Sequence, residues 1–564
     1  MDLVVFENNK AFVIDEFRAG RFDDVELASD VAATKFFQFL FGAGIVNKLA
    51  QDFPTPRQRE LVPRWMYLSS QLSLRLHGQH AYHGYPLIIR AGGLVDALGP
   101  EVARRDVDPQ SGNVTLQCTG FNDRNHYPRQ TPCDQDFLRK LARDTEPQKL
   151  EDWYNAHVAK LYQELGAFAS EGLFIGDGTY LFVPDNQRYE GSQRLLFDEH
   201  NHPVSKKQEQ EMTKSQRSRC RWRRFYKAVL LLHADAVGER FVVAGLRVLR
   251  DNEAEATAFW PLVNSFLASV GVDVMKVLLL DRGFINGPEI GRLKREHNID
   301  TVIPIRSDMD LQADVRGLMQ LPTQWQEYQP RHRQPLPDVT RPSHGRPVPS
   351  TVQKRERKRQ KTLARQRAAS PPTPPPDPSQ VRERTLIARF ADLTTWSDCP
   401  VPLTGVYSRD QYADGHETSW LLVTTNAHWS ARRVRDLYGM RPDIEERHRQ
   451  VKCFWDLTRF HSTAWSLVVN QTVFVCLTYS LLQLHLLRQG REELNRRTRP
   501  TTHRLLPDGD RVVIYRQQYF AFFTLMEHME MTLSLEDKPR RRALKKARAL
   551  LRDEPAPPRK PTGD

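Results

Sequence analysis

Between Leu173 and Ile305 the chain lays down five apolar runs of strand length, separated by turn signals and by two stretches of helical periodicity, and few folds accommodate that alternation. The first run is Leu173-Phe174-Ile175-Gly176-Asp177-Gly178-Thr179-Tyr180-Leu181-Phe182-Val183, and Lys227 to Leu232 and Arg240 to Leu246 follow it. Three strands in succession predict an antiparallel meander. Asn252-Glu253-Ala254-Glu255 resembles an N-cap with its Glu at the third helical position, opening an amphipathic helix to about Val270 that Pro261 is placed to kink. Val274 to Leu280 is almost wholly apolar, as for a strand covered on both faces, and Pro288 to His297 with Thr301 to Ile305 adds a helix and a strand. The order is β-β-β-α-β-α-β, and the fold class it predicts is α/β.

At 564 residues the chain exceeds what one ordinary core holds, so several units are expected. Residues 1–165 read as mainly helical; His77, His80 and His83 recur there without cysteine or carboxylate partners, which favours surface or loop histidines over a metal site. Residues 166–321 hold the strand-rich stretch. Residues 322–381 are proline-rich and basic, with Lys354 to Lys361 and Pro371 to Pro376, and read as a linker that cannot fold alone. Residues 382–435 return strand-like pieces, at Arg384 to Phe390 and Ser419 to Thr425, which suggests a β-rich insertion. Helices resume across 436–535, and 536–564 form a basic tail.

The net charge of +13 points to a polyanionic partner, nucleic acid first, although a merely soluble basic protein fits the charge equally well. Six scattered cysteines without a C-x-x-C pair indicate neither a zinc module nor a disulfide framework, and the first residues lack the pattern of a secretory signal. A cytoplasmic, nucleoid-associated protein is expected. Ala464 to Leu487 nearly reaches bilayer length, but Asn470, Gln471, Gln483 and His485 interrupt it and favour a buried core helix.

The chemistry rests on acids in unusual places. Asp177 interrupts an apolar strand, where an unpaired charge is costly, and its flanking glycines leave room for a close neighbour; a β-bulge or bonds to nearby amides would also account for it. Asp281 follows the buried strand at the carboxyl end where ligands gather in open αβ sheets, and an ordinary turn aspartate would look the same. Two such acids on neighbouring strands suit a Mg²⁺-like cation. The third element is Tyr438-Gly439-Met440-Arg441-Pro442-Asp443-Ile444-Glu445-Glu446-Arg447-His448-Arg449-Gln450-Val451-Lys452, with spacing Y-x2-R-x3-E-x6-K. Pro442 fits the first helical position, so Glu445 and Lys452 share a face about two turns apart, beside an apolar stripe of Ile444, Val451 and Trp455. A solvated charged face is the competing reading.

In these features the chain resembles the DDE transposases of bacterial insertion sequences, in the group marked by a Y-R-E-K motif. The resemblance spans about residues 170–490. It implies a ribonuclease H-like core interrupted by a β-rich insertion, with Asp177, Asp281 and Glu445 as the catalytic and metal-binding carboxylates and two Mg²⁺ ions, which Mn²⁺ can replace. It further implies cleavage of double-stranded DNA at element ends, joining of the 3′-hydroxyl to target DNA, and a homodimer on DNA, with no membrane involved. Tyr438, Arg441 and Lys452 would contact DNA; Trp396, Trp420 and Trp429 are available to hold a flipped base. Residues 1–165 are expected to bind element ends. The cation-aromatic stretch Gln216 to Tyr226 adds Arg221 and Arg223 as DNA contacts, or else a solvated hairpin. A catalytically silent, transposase-derived DNA-binding protein and a ribonuclease H-like nuclease without strand transfer are the alternatives.

Overall fold

The computed structural model describes residues 7–552 except 29, 79, 91–93, 99–102, 108–113, 119–130, 200, 237, 239, 251–252, 330–381, 442–446, 449–450, 453–454, 456, 491–510 and 518. The basic and proline runs of the linker, Asn252 and Pro442 to Glu446 are thus outside the described residues.

One mixed sheet of ten strands carries the architecture. Its strands are β1 (Leu173–Val183), β2 (Gln193–Phe197), β3 (Arg221–Ala234), β4 (Phe241–Leu249), β5 (Val277–Leu279), β6 (Asp300–Pro304), β7 (Gln326–Glu327), β8 (Arg382–Leu393), β9 (Leu403–Tyr412) and β10 (Glu417–Thr424). Their order across the sheet is β7-β8-β9-β10-β6-β5-β1-β3-β2, with β4 also paired to β3. β1 runs antiparallel to β3, and β3 to β4, which makes the expected meander; β2 is an additional short strand in the connection. β5 is parallel to both β1 and β6, and every residue of β5 and β6 is buried, as for parallel strands roofed on both faces. The strand-like pieces read within 382–435 belong to β8 and β10, and with β9 between them they continue this sheet, because β10 pairs antiparallel with β6.

Side-chain alternation divides the sheet between two cores. Phe174, Val229, Leu231, Leu278 and Ile303 point to α1 (Glu255–Val270) and α2 (Gly287–His297). Helix α1 starts two residues later than the capping pattern suggests: Ala254 occupies the N-cap with no side-chain bond, and the helix passes through Pro261 to Val270. Ile175, Leu230, Leu232 and Leu279 face the opposite core, which they share with the N-terminal helices and with α4 (Trp465–Arg488); α3 (Ala431–Tyr438) precedes it.

Helix α4 is long and apolar enough to cross a membrane, yet 94% of its most apolar window is buried inside the protein. Several of its polar side chains have partners there. Asn470 donates to the Tyr67 hydroxyl (3.1 Å), Gln471 to the Leu457 carbonyl (2.9 Å), while Gln483 and Ser480 accept from the amides of Phe241 and Val243 on β4. His80, expected at the surface, is buried: one ring nitrogen lies 3.1 Å from the Arg75 guanidinium and the other 2.8 Å from the Trp455 carbonyl. Because arginine only donates, Nδ1 must accept and Nε2–H must donate, so the imidazole is neutral.

A smaller four-stranded sheet joins the chain ends, in the order Glu7–Asn8, Tyr519–Thr524, Arg511–Arg516, Asp24–Ala28. Its own core is built from Val13, Phe17, Val25, Val512, Ile514, Phe523 and Ala543.

Candidate active site

Asp177 sits in the middle of β1, opposite Leu230 of β3, in a register that continues unbroken from Leu173 to Val183, so no bulge accounts for it. Its neighbours are glycines because α1 lies directly on the other face. A Cβ at Gly176 would come within 2.3 Å of the Phe259 ring, and one at Gly178 within 2.3 Å of the Glu255 carboxylate. The room they leave is therefore filled by α1, and alternation turns the Asp177 side chain away from it. There Asp177 is 6% exposed. Burial, reinforced by the charge of Asp281, pushes its carboxyl up to about 6 against the pull of Arg441.

Asp281 follows β5 and caps a short 3₁₀ turn, one oxygen accepting from the Arg282 amide at 2.6 Å. Asp281 thus caps a turn with one oxygen and turns the other toward Arg441. Arg441, three residues beyond α3, ties the two acids together: its Nη2 lies 3.0 Å from Asp177 Oδ1 and 3.0 Å from Asp281 Oδ2. Two such contacts to one nitrogen place the carboxylate oxygens within about 6 Å of each other. Burial opposes the Arg441 charge, but Asp177 and Asp281 outweigh it and hold the guanidinium more firmly protonated than usual.

His448 is a site residue that the sequence reading passed over. Buried, it places Nδ1 3.4 Å from Asp177 Oδ2, while its Nε2 has no hydrogen-bond partner among the described residues. Burial, then the nearby charges of Lys452 and Arg441, push the imidazole down to about 3, so it is neutral. The available signal was its place on the motif helix, three residues after Glu445 and four before Lys452. Lys452 is half-buried, and Val451 and Trp455 are buried as the apolar stripe requires. Glu445 and Ile444 lie outside the described residues. Among the described residues no group of three or more His, Cys, Asp or Glu side chains could hold a metal ion.

Tyr438 ends α3, where burial pushes its hydroxyl up to about 12. Its ring centroid lies 5.8 Å from that of Trp420, which in turn stacks on Arg435 at 4.2 Å. Trp429 is buried and Trp396 packs on the α1 side of the sheet, so of the three tryptophans Trp420 is the one beside the motif. Arg221 and Arg223 are not brought to the carboxylates. They lie at the start of β3, Arg223 seven residues from the partner of Asp177, or about 23 Å at ~3.3 Å per residue. Arg223 caps the Phe182 ring at 4.5 Å.

Residues 189–481 match the family model described as the transposase DDE domain. That segment includes Asp281 and the whole motif from Tyr438 to Lys452, while Asp177 lies twelve residues before it begins. No curated protein matches the chain. Over half of its length answers to that one description, and the chain belongs to the DDE transposase family.

Proposed function

We propose that the protein is a DNA transposase of the Y-R-E-K group, which cleaves the ends of an insertion sequence and joins the resulting 3′-hydroxyls to target DNA, with Asp177, Asp281 and Glu445 as its catalytic carboxylates. The observation that carries this reading is the convergence of Asp177 and Asp281, 104 residues apart in sequence, on one guanidinium nitrogen. The strand order β4-β3-β1-β5-β6, with a meander on one side and parallel strands on the other, supports a ribonuclease H-like core.

The donor set fits divalent cations: two carboxylates present hard oxygen ligands around a point where a positive charge already sits. Asp177 and Asp281, with Glu445 of the motif, would hold Mg²⁺ or Mn²⁺, which supplies Lewis acidity at both the attacking and the leaving oxygen of an in-line displacement. The protein's own contribution is placement. β1 and β5 fix the two aspartates on adjacent strands, and the buried Asp177 is disfavoured as a bare anion, so it gains from a cation. Arg441 and Lys452 position phosphates, with Tyr438 as a further contact, and such groups orient DNA without reading its sequence. Arg221 and Arg223, distant from the carboxylates, bind flanking DNA. A homodimer bringing two element ends together completes the reading.

The test is single-turnover cleavage and joining of duplexes carrying the element ends. Asp177→Asn, Asp281→Asn and Glu445→Gln should each abolish cleavage while changing DNA affinity less than about tenfold, since affinity comes mainly from cation–phosphate contacts. A Glu445→Gln protein that still cuts removes that residue from the triad. Cleavage without joining of pre-cut ends would leave a nuclease, and binding without nicking in Mg²⁺ or Mn²⁺ a catalytically silent derivative.

A further inference from the structure

The basic tail expected over 536–564 is, through Arg552, a helix built into the unit formed by the two chain ends. Helix Asp537–Arg552 opens with an acid in its first turn and carries cations through its length, an order that suits the helix dipole. Its inner face is fixed. Pro539 packs where a side chain at Gly20 would come within 2.8 Å of it, Arg542 donates to the Phe22 carbonyl at 2.7 Å and covers the Phe22 ring at 4.5 Å, and Ala543 is fully buried.

The outer face is of another kind. Lys538, Arg541 and Lys545 are exposed and recur at intervals of three and four residues, which holds them within a narrow arc of the helix. None of the three has an ion-pair partner among the described residues, whereas Arg540 is paired with Asp537. The sequence continues the same spacing with Arg548 and Arg552, so that five cations recur over about 21 Å at ~1.5 Å per residue. One DNA strand presents about six phosphates over that length, at ~3.4 Å each.

We infer that this outer face of helix Asp537–Arg552, packed on the small four-stranded unit, is a docking surface for the phosphate backbone of duplex DNA. The choice of DNA among polyanions rests on the transposase reading. An anionic membrane suits the helix less well, because the side that would enter lipid is already packed on Gly20 and Phe22.

The experiment compares two full-length triple variants with equal charge change: Lys538→Glu, Arg541→Glu, Lys545→Glu on this helix, and Lys276→Glu, Arg295→Glu, Arg316→Glu at exposed positions elsewhere. Affinity for a duplex of about 30 base pairs lacking element ends is measured across a salt series. The helix variant should bind at least tenfold more weakly near 0.1 M salt, and the slope of log affinity on log salt should shallow by about 3, from ~0.9 for each phosphate contact. The control should shift affinity less than threefold. Equal losses in both would reduce the effect to net charge and overturn the assignment, as would no loss in either, or a loss confined to phosphatidylserine vesicles. Should the glutamate variant fail to fold, the corresponding Gln triple gives the same comparison. Wild-type protein that binds this duplex but never cuts element ends would count against transposition chemistry and leave the docking surface standing.

Discussion

Arg441 meets two acids with a single nitrogen, and what it stabilises depends on how unwelcome a bare anion is at Asp177. With its pKa raised to about 6, folded Asp177 binds a proton more tightly than the unfolded chain does. Its ionisation therefore costs stability as pH rises from about 4 to about 6, and the full cost remains above that range. His448 acts in the opposite sense, since a base held neutral in the fold loses stability as pH falls from about 6.5 toward 3. The two trends oppose each other in the wild type, so the informative quantity is a difference. In metal-free buffer Asp177→Asn should gain roughly 1–3 kcal/mol relative to wild type at pH 7.5, and the gain should vanish by pH 4. Urea unfolding at both pH values measures it; a difference independent of pH would mean that Asp177 is not the proton-binding group. Arg441→Gln, which strips the shared counter-charge from two neighbouring carboxylates, should destabilise by about 3–5 kcal/mol in chelator, by the same measurement.

At the scale of elements, β1 flanks its acid with glycines because α1 approaches so closely on the reverse side. The two glycines are unequal in this respect. A methyl group at Gly176 meets the closed ring of Phe259, whereas one at Gly178 meets the end of the Glu255 side chain, which can rotate away. Gly176→Ala should accordingly cost about 1–3 kcal/mol and Gly178→Ala clearly less, with thermal unfolding as the readout. Equal losses would show that backbone freedom, not crowding by α1, selects glycine here. The mixed α/β character was legible because strand and helix runs each have the period of their element, and β5 because burial on both faces leaves no polar alternation. Other features depend on contacts that periodicity does not encode. β2 is a half-exposed strand of Gln, Arg, Leu, Leu and Phe, whose pairing with β3 nothing local announces. The role of His80 depends on Trp455, 375 residues away, and the closeness of His448 to Asp177 on a contact between segments 271 residues apart. Asp177 and Asp281 were legible as candidates because a charge in an apolar run demands a cause; their union through Arg441 appears only in three dimensions.

For the molecule as a whole, the N-terminal helices are part of the central architecture. Phe36, Leu40, Met66, Tyr67, Leu72 and Trp153 belong to the same core as Val473, Phe474 and the Ile175 face of the sheet, and Tyr67 also satisfies Asn470. A chain starting at Glu171 would leave α4 and that side of the sheet bare, and should be insoluble or unfold without cooperativity by circular dichroism. A soluble, cooperatively unfolding product would show the helices to be an appended module. The small sheet at the chain ends imposes a temporal constraint as well. Asp24–Ala28 waits for Arg511–Arg516, and Arg516 reaches back to Glu16 across 500 residues, so during synthesis this unit cannot close until the residues through Arg516 have emerged. Until Arg511–Arg516 is in place, Asp24–Ala28 is an orphan edge, open to pairing with other chains, so the early strand stays exposed for as long as its late partner is missing.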